Sequence, residues 1–393
     1  MASIKANVTP ELLSWARRSA GYALEEAAKK INNISAEKLA AWEEGTDQPT
    51  VKQLYKIAEV YKRPVGTFFL SELPQDFTIP RDFRRLPGEV AGVYSPALRR
   101  QIRLAEERRE AALELFEDLG EEPPAFPLAA TLDDDPDELA SRIREALGVN
   151  PAEQFSWRDP QRYKPFRQWR TRIENLGALI FQVTGVETQE MLGFSLAEPV
   201  LPVIAVNRKI RNPNGRIFTL LHEFVHLMLR QSSICDIDEE EPRPPEEQRI
   251  EVFCNRVAGA ALVPAEILLR EEIVSRYPAA RREWDEEDIK TLALRFSVSR
   301  EVILRRLLIA GRTTEQFYRR KREEYRQPPA AGDGEQAGGP ENRAVRALST
   351  LGTSFITLIL ESHHQGHLTL SQVSGLIGER VKWVPEIERR MIV

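Results

Sequence analysis

Apolar residues recur at helical spacing through the first 63 positions of the chain. PELLSWARRS, residues 10–19, begins with Pro10 at a helix-start position and aligns Leu12, Leu13 and Ala16. After Gly21, ALEEAAKKI places Leu24, Ala27, Ala28 and Ile31 on one face. The segment INNIS breaks the pattern, and AEKLAAWEEG then runs from a capping Ser35 to a closing Gly45. PTVKQLYKIAEVYKRP predicts a fourth helix, with apolar Val51, Leu54, Ile57, Ala58 and Tyr61 and a stop before Pro64. The spacing predicts four compact helices, the second and third joined by a tight turn.

The pattern changes at residues 95–120, where LRRQIRLAEERREAALELFEDLG alternates charge signs at i,i+4 spacing. This predicts a long helix bridging two domains. DDDPDELASRIREALGV (133–149) starts a further helix behind acidic caps, and FRQWRTRIENLG (166–177) ends another at Gly177. ALIFQV (178–183), LGFSL (192–196) and VLPVIAVN (200–207) are rich in branched and aromatic residues, as strands of a small sheet are. GRIFTLLHEFVHLMLRQ follows as a helix, then an acidic, proline-rich loop from Asp236 to Glu247, then EEQRIEVFCNRVAGAALV, a helix ending at Pro264.

QPPAAGDGEQAGGPEN (327–342) has almost no apolar bulk and predicts a flexible tether. Residues 343–393 regain helical periodicity, enough for a helical hairpin. The expected division is an N-terminal domain at 1–75, a helical linker at 76–130, a site-bearing domain at 131–326, the tether at 327–342 and a small helical region at 343–393. The fold class is multidomain and mainly α, with one α+β part.

Composition adds limits. At 393 residues the chain exceeds the usual reach of one hydrophobic core. Its 42% hydrophobic and 29% charged residues suit globular domains, and no apolar run approaches the roughly 20 residues of a membrane span. MASIKANVTPELL lacks the features of a secretory signal, and Cys235 and Cys254 are the only cysteines, so a reducing cytoplasm is the expected compartment. The net charge of -5 weakly opposes nonspecific binding to nucleic acid, though an average over domains can conceal a basic patch.

The chemistry concentrates in TLLHEFVHLML, 219–229, which sets three ionisable side chains into an apolar run. Helix positions four apart lie ~40° from alignment and ~6 Å apart along the axis, so His222 and His226 project from one face toward one ion. Zinc accepts neutral imidazole, and a catalytic zinc usually keeps three protein ligands and one open position. Glu223 stands where the H-E-x-x-H pattern places a general base. With zinc lowering the pKa of water toward ~7, Glu223 takes the proton and hydroxide attacks a scissile carbonyl. Glu251, on the following helix, is the candidate third ligand, and Asn255, one turn later, could hydrogen-bond Glu251 or a substrate backbone. Cys254 is a conceivable soft ligand, but two histidines and a glutamate already complete a catalytic set. VLPVIAVN, just before this helix, is a candidate to pair with an extended substrate. The other histidines, His363, His364 and His367, resemble a metal cluster, but Gly366 ends the helix among them and predicts a solvated helix end.

FTLLHEFVHLML followed by IEVFCNRVAGAALVP resembles the ImmA/IrrE-type metallopeptidases over roughly residues 150–325. The resemblance implies an α+β zincin-like domain in which His222, His226 and Glu251 bind zinc and Glu223 is the base. The family usually has alanine where Cys254 stands and phenylalanine where Val257 stands. The front of the chain, with LEEAAKKI, AAWEEGTDQPT and the later PRDFRR, is similar to XRE-type helix-turn-helix domains. The combination implies a zinc-dependent endopeptidase that cleaves a repressor-like regulator during a stress or mobile-element response. Two other readings share these residues: a DNA-binding transcription regulator with a peptidase-like sensor domain, and the toxin of a toxin-antitoxin pair.

In a helix-turn-helix the second helix enters the major groove and basic side chains hold phosphates. Ser35, Glu37 and Lys38 open that helix, with Lys29 and Lys30 nearby as phosphate contacts. Glu43 and Glu44 oppose phosphate, which leaves docking of a protein partner as the competing reading.

Overall fold

A computed structural model describes residues 4–74, 81–82, 94–157, 163–210, 212–235, 244–277, 282–326 and 342–391. The expected tether and most of the acidic loop and of PRDFRR lie outside these residues. The chain divides into two compact units, Met1–Ile79 with Gly88–Glu107, and Pro80–Pro87 with Arg108–Val393.

The first unit contains α1 (Pro10–Ser19), α2 (Leu24–Lys30), α3 (Ala36–Glu43) and α4 (Val51–Tyr61), followed by a 3-10 turn at Val65–Phe69. The turn between α2 and α3 runs through Asn32 and Asn33 at φ 55° and 54°, a left-handed conformation that asparagine tolerates better than most residues. The Ser35 hydroxyl accepts a bond from the Lys38 amide at 3.2 Å and starts α3. Thr50 and Gln53 form a reciprocal capping box at the start of α4. Leu13, Ala16, Ile31, Leu39, Trp42, Ile57 and Phe68 fill one core. A further helix, α5 (Pro96–Leu119), leaves this unit at Glu107 and continues in the second.

The second unit starts with α6 (Pro136–Ala146), capped by Asp135, α7 (Pro151–Ser156) and α8 (Tyr163–Glu174). Its mixed sheet comprises β1 (Arg81–Asp82), β2 (Leu179–Val183), β3 (Gly193–Leu196), β4 (Val203–Asn207) and β5 (Ser233–Cys235), in the order β1-β5-β3-β4-β2. Periodicity anticipates β2, β3 and β4; β1 and β5 have two and three residues, too few to show any alternation. The strand proposed for substrate pairing is β4, and both of its edges are taken. Ala205 lies opposite Phe181 on β2 and Phe194 on β3, so β4 has no free backbone edge for a substrate.

Two helices carry the site, α9 (Pro213–Met228) and α10 (Pro245–Leu262). Residues 219–228 of α9 are buried without a break, the mark of a helix enclosed on all sides. The end of α10 is fixed by its carbonyls, which have no partner within the helix. Arg144 donates to the Ala261 carbonyl at 2.7 Å, Gln154 to Leu262 at 3.0 Å and Arg306 to Val263 at 2.9 Å. Two of these donors are guanidiniums at the negative end of the helix dipole, which locks α10, and with it Glu251, against the core.

Beyond α10 lie α11 (Ala265–Arg270), α12 (Glu272–Ser275), α13 (Glu286–Phe296), α14 (Arg300–Ile309) and α15 (Glu315–Arg326). The last four helices are α16 (Arg343–Leu351), α17 (Thr353–His364), α18 (Leu370–Ile377) and α19 (Val384–Met391). They belong to the same compact unit as the sheet. Buried Arg170 on α8 pairs with Glu174 at 2.9 Å and donates to the Ile180 and Ser349 carbonyls, while Glu174 accepts from Thr353 at 2.8 Å. Phe355 meets Phe181 edge to face. Among the described residues no single helix is long and apolar enough to cross a membrane.

Candidate metal centre

His222 and His226 face one point from successive turns of α9, with their Nε2 atoms 3.1 Å apart. Glu251 approaches from α10, Oε2 at 3.4 Å from His222 Nε2 and Oε1 at 3.2 Å from His226 Nε2. All three side chains are buried. Buried ionisable groups persist when they neutralise one another or hold a metal. Here they neutralise one another: burial opposes charge on His222, but the Glu251 carboxylate outweighs it and pushes the imidazole up to about 9. Burial works against the Glu251 charge too, yet His222 and His226 hold its carboxyl well below the usual range.

The Asn255 side chain meets His222 Nδ1 at 2.8 Å through its Oδ1. An amide oxygen only accepts, so Nδ1 carries the proton and Nε2 turns a lone pair toward the centre in the neutral ring. Asn255 thus supports a histidine. The one-turn spacing of Glu251 and Asn255 on α10 brings both to His222.

Sequence reasoning missed the contribution of β5. Gly193 pairs with Cys235, and Ser195 with Ser233, in the antiparallel ladder of β3 and β5. Alternate residues of a strand share a face, so these four lie on one side of the sheet. The Ser233 hydroxyl donates to Glu223 Oε2 at 2.7 Å and lies 2.7 Å from the Ser195 hydroxyl, a relay that fixes one oxygen of the carboxylate. The other oxygen, Oε1, is buried and has no hydrogen-bond partner among the described residues. Gly193 is packed against the same group: a β-carbon there would lie 2.7 Å from Thr219 Cγ2 and 2.9 Å from Glu223 Oε1.

Cys235 itself joins the centre, with Sγ 3.3 Å from His222 Nε2 and 3.4 Å from His226 Nε2. Burial and the carboxylates of Glu223 and Glu251 push its thiol well above its ordinary pKa. Cys254, the cysteine weighed from sequence, is buried on α10 and outside this group. His222, His226, Cys235 and Glu251 each offer a donor atom within 4.8 Å of the others, the only such group among the described residues. Neutral imidazole, thiolate and carboxylate are zinc's usual ligands, so the donor chemistry fits that ion, and the unpartnered Glu223 Oε1 fits a reacting water beside it. The signals for Cys235 were its rarity and its position just past the helix, and neither shows which way a strand residue faces.

The remaining candidates stay apart. His363 Nδ1 lies 2.6 Å from the Leu368 carbonyl, and His364 Nε2 pairs with Glu388 at 2.8 Å, so these rings serve a helix end. In the first unit, Lys29, Lys30, Ser35, Glu37 and Lys38 are all exposed, although the Ser35 hydroxyl is occupied in capping α3. Glu43 is held by Arg17 through two bonds of 2.8 and 2.9 Å, which neutralises one charge that would oppose phosphate.

Residues 176–308 match the family model of the M78 peptidases described as the IrrE N-terminal-like domain, and residues 13–68 match a helix-turn-helix model. The first match spans β2 to α14 and includes every donor of the centre. No curated protein matches the chain.

Proposed function

We propose that this chain, a helix-turn-helix domain joined to an ImmA/IrrE-type peptidase domain, is a zinc-dependent endopeptidase that cleaves a repressor-like regulatory protein. The observation that carries the reading is Glu223: one oxygen is anchored by Ser233, the other is unpartnered, and the residue adjoins His222 in a buried donor group. A carboxylate so divided is prepared to take a proton at Oε1 without moving.

His222, His226 and Glu251 would hold the ion, with Asn255 fixing the tautomer of His222. When bound, zinc supplies Lewis acidity that polarises a carbonyl and lets water lose a proton near neutral pH. Glu223 accepts that proton and returns it to the leaving amine, while Ser233 and Ser195 keep the carboxylate from rotating away. The first unit supplies target selection: the exposed start of α3, with Ser35, Glu37 and Lys38, faces a DNA major groove, and Lys29 and Lys30 meet phosphates. A second reading, in which the peptidase-like domain is a sensor, is favoured by one observation, the thiol of Cys235 among the metal donors.

A Glu223→Gln variant separates the two. We expect it to retain zinc and to cleave the repressor-like protein encoded beside it roughly 10²- to 10⁴-fold more slowly. Undiminished cleavage by that variant would remove Glu223 from the mechanism.

A further inference from the structure

Cys235 is the donor that the hydrolytic reading leaves without a task. Its sulfur lies 3.3 Å from His222 Nε2, 3.4 Å from His226 Nε2 and 3.6 Å from Glu251 Oε1. The separations among the other three are 3.1, 3.4 and 3.2 Å. Glu251 turns Oε2 toward His222 and Oε1 toward His226 and Cys235, so its carboxylate, the two imidazoles and the sulfur surround one point at similar separations. Four ligands ~2.0–2.3 Å from a common centre have edges of roughly 3.3–3.8 Å. A thiol has one proton and needs one acceptor, so hydrogen bonding alone gives no reason for it to stand almost equidistant from three donors.

The backbone places the sulfur there. Cys235 is the last residue of β5, opposite Gly193, and shares its face with Ser233, which already reaches Glu223. A slip of one residue in this register would turn Cys235 to the opposite face of the sheet, along with Ser233. One strand therefore delivers both the anchor of the base and a fourth donor to the metal.

We propose that Cys235 is the fourth protein ligand of the metal, closing the resting centre with His222, His226 and Glu251. The thiol gives its proton to solvent as sulfur bonds the ion, and no electrons are transferred. Sites with four protein ligands are the structural pattern and sites with three are the catalytic one. With sulfur bound, the place a reacting water would take beside Glu223 would be filled, so hydrolysis would require the sulfur to give way or the metal to accept a fifth ligand. This inference rests on the metal-binding part of the proposed function and is independent of proteolysis.

Cobalt(II) bound in place of zinc by the full-length chain provides the test, because a thiolate ligand gives an intense near-ultraviolet charge-transfer absorption that imidazole and carboxylate do not. The wild-type protein and Cys254→Ser should both show it. Cys235→Ser should bind cobalt without it and lose the metal to a chelator roughly tenfold faster or more. The spectrum of Cys254→Ser, whose only thiol is Cys235, decides the matter even if Cys235→Ser misfolds. Cobalt bound by the wild type without that absorption overturns the proposal and leaves the peptidase reading intact, whereas a wild type that binds no cobalt overturns both. A full thiolate signature in the wild type and in Cys254→Ser, with no proteolysis by either the metal-loaded wild type or metal-loaded Cys235→Ser, overturns the peptidase reading and leaves the ligand assignment standing.

Discussion

The candidate centre and the surface of the helix-turn-helix unit both depend on charged side chains, and they handle charge in opposite ways. In the centre, His222, Glu223, His226 and Glu251 are almost wholly excluded from solvent, and each position is set by a partner on another element: Asn255 on α10, Ser233 on β5. On the first unit, Lys29, Lys30, Glu37 and Lys38 are exposed, and pairs such as Lys56 with Glu59 at 3.0 Å lie in water. Burial makes each charge in the centre depend on its neighbours, because an uncompensated ion there costs several kcal/mol. Solvent makes the surface charges nearly independent and worth ~0–1 kcal/mol apiece. The first arrangement gives fixed geometry suited to chemistry, and the second gives an adaptable surface suited to docking.

Variants can break this contrast, and the largest effect should come from within the centre. His226→Ala removes one donor and strips Glu251 of the partner at 3.2 Å. Zinc affinity measured by competition should fall by roughly 100-fold or more, and a purified variant with normal zinc content would show that His226 is not a ligand. An intermediate effect is expected from Gly193→Ala, which touches no donor. Its β-carbon would crowd both Thr219 Cγ2 and Glu223 Oε1, so the carboxylate must shift although its other oxygen is tied to Ser233. Peptide hydrolysis should drop by roughly tenfold or more with zinc content unchanged, consistent with the sensitivity of proton transfer to position. Equal rates in the two proteins would mean that the carboxylate is free to shift.

The smallest effect on the protein itself is expected at the surface. Replacing Lys29 and Lys30 together with alanine should change unfolding free energy by less than ~0.5 kcal/mol. If the unit binds duplex DNA, the same change should weaken binding across sequences and flatten the salt dependence by roughly two. A salt slope equal to that of the wild type would place phosphate elsewhere and favour a protein partner.

Much of the centre is legible in the chain because a helix fixes relative direction locally. The four-residue step from His222 to His226 and that from Glu251 to Asn255 each guarantee a shared face once the helices exist. The apolar lining of residues 219–228 also signals that these groups are buried. Nothing local assigns a face to SIC at 233–235. Three residues display no period, and the direction of Cys235 follows from pairing with Gly193, about forty positions earlier. For the same reason Ser195 and Ser233 read as unremarkable serines, although together they hold the Glu223 carboxylate.

The last helices make the point again. Periodicity predicts a helical hairpin over 343–393, whereas the structure has four helices, with Gly352 at φ 83° separating α16 from α17. Both join the sheet-bearing unit through Arg170, a buried cation on α8 that satisfies the Ser349 carbonyl and pairs with the carboxylate bonded to Thr353. Sequence alone determined the two helices of the centre, the two imidazoles, Glu223 beside them and the carboxylate on the next helix, since each depends on steps of three or four residues. Tertiary structure decided which strand faces the centre, which cysteine enters it and that both edges of β4 are closed, because register and packing are relations between distant segments that no local period encodes.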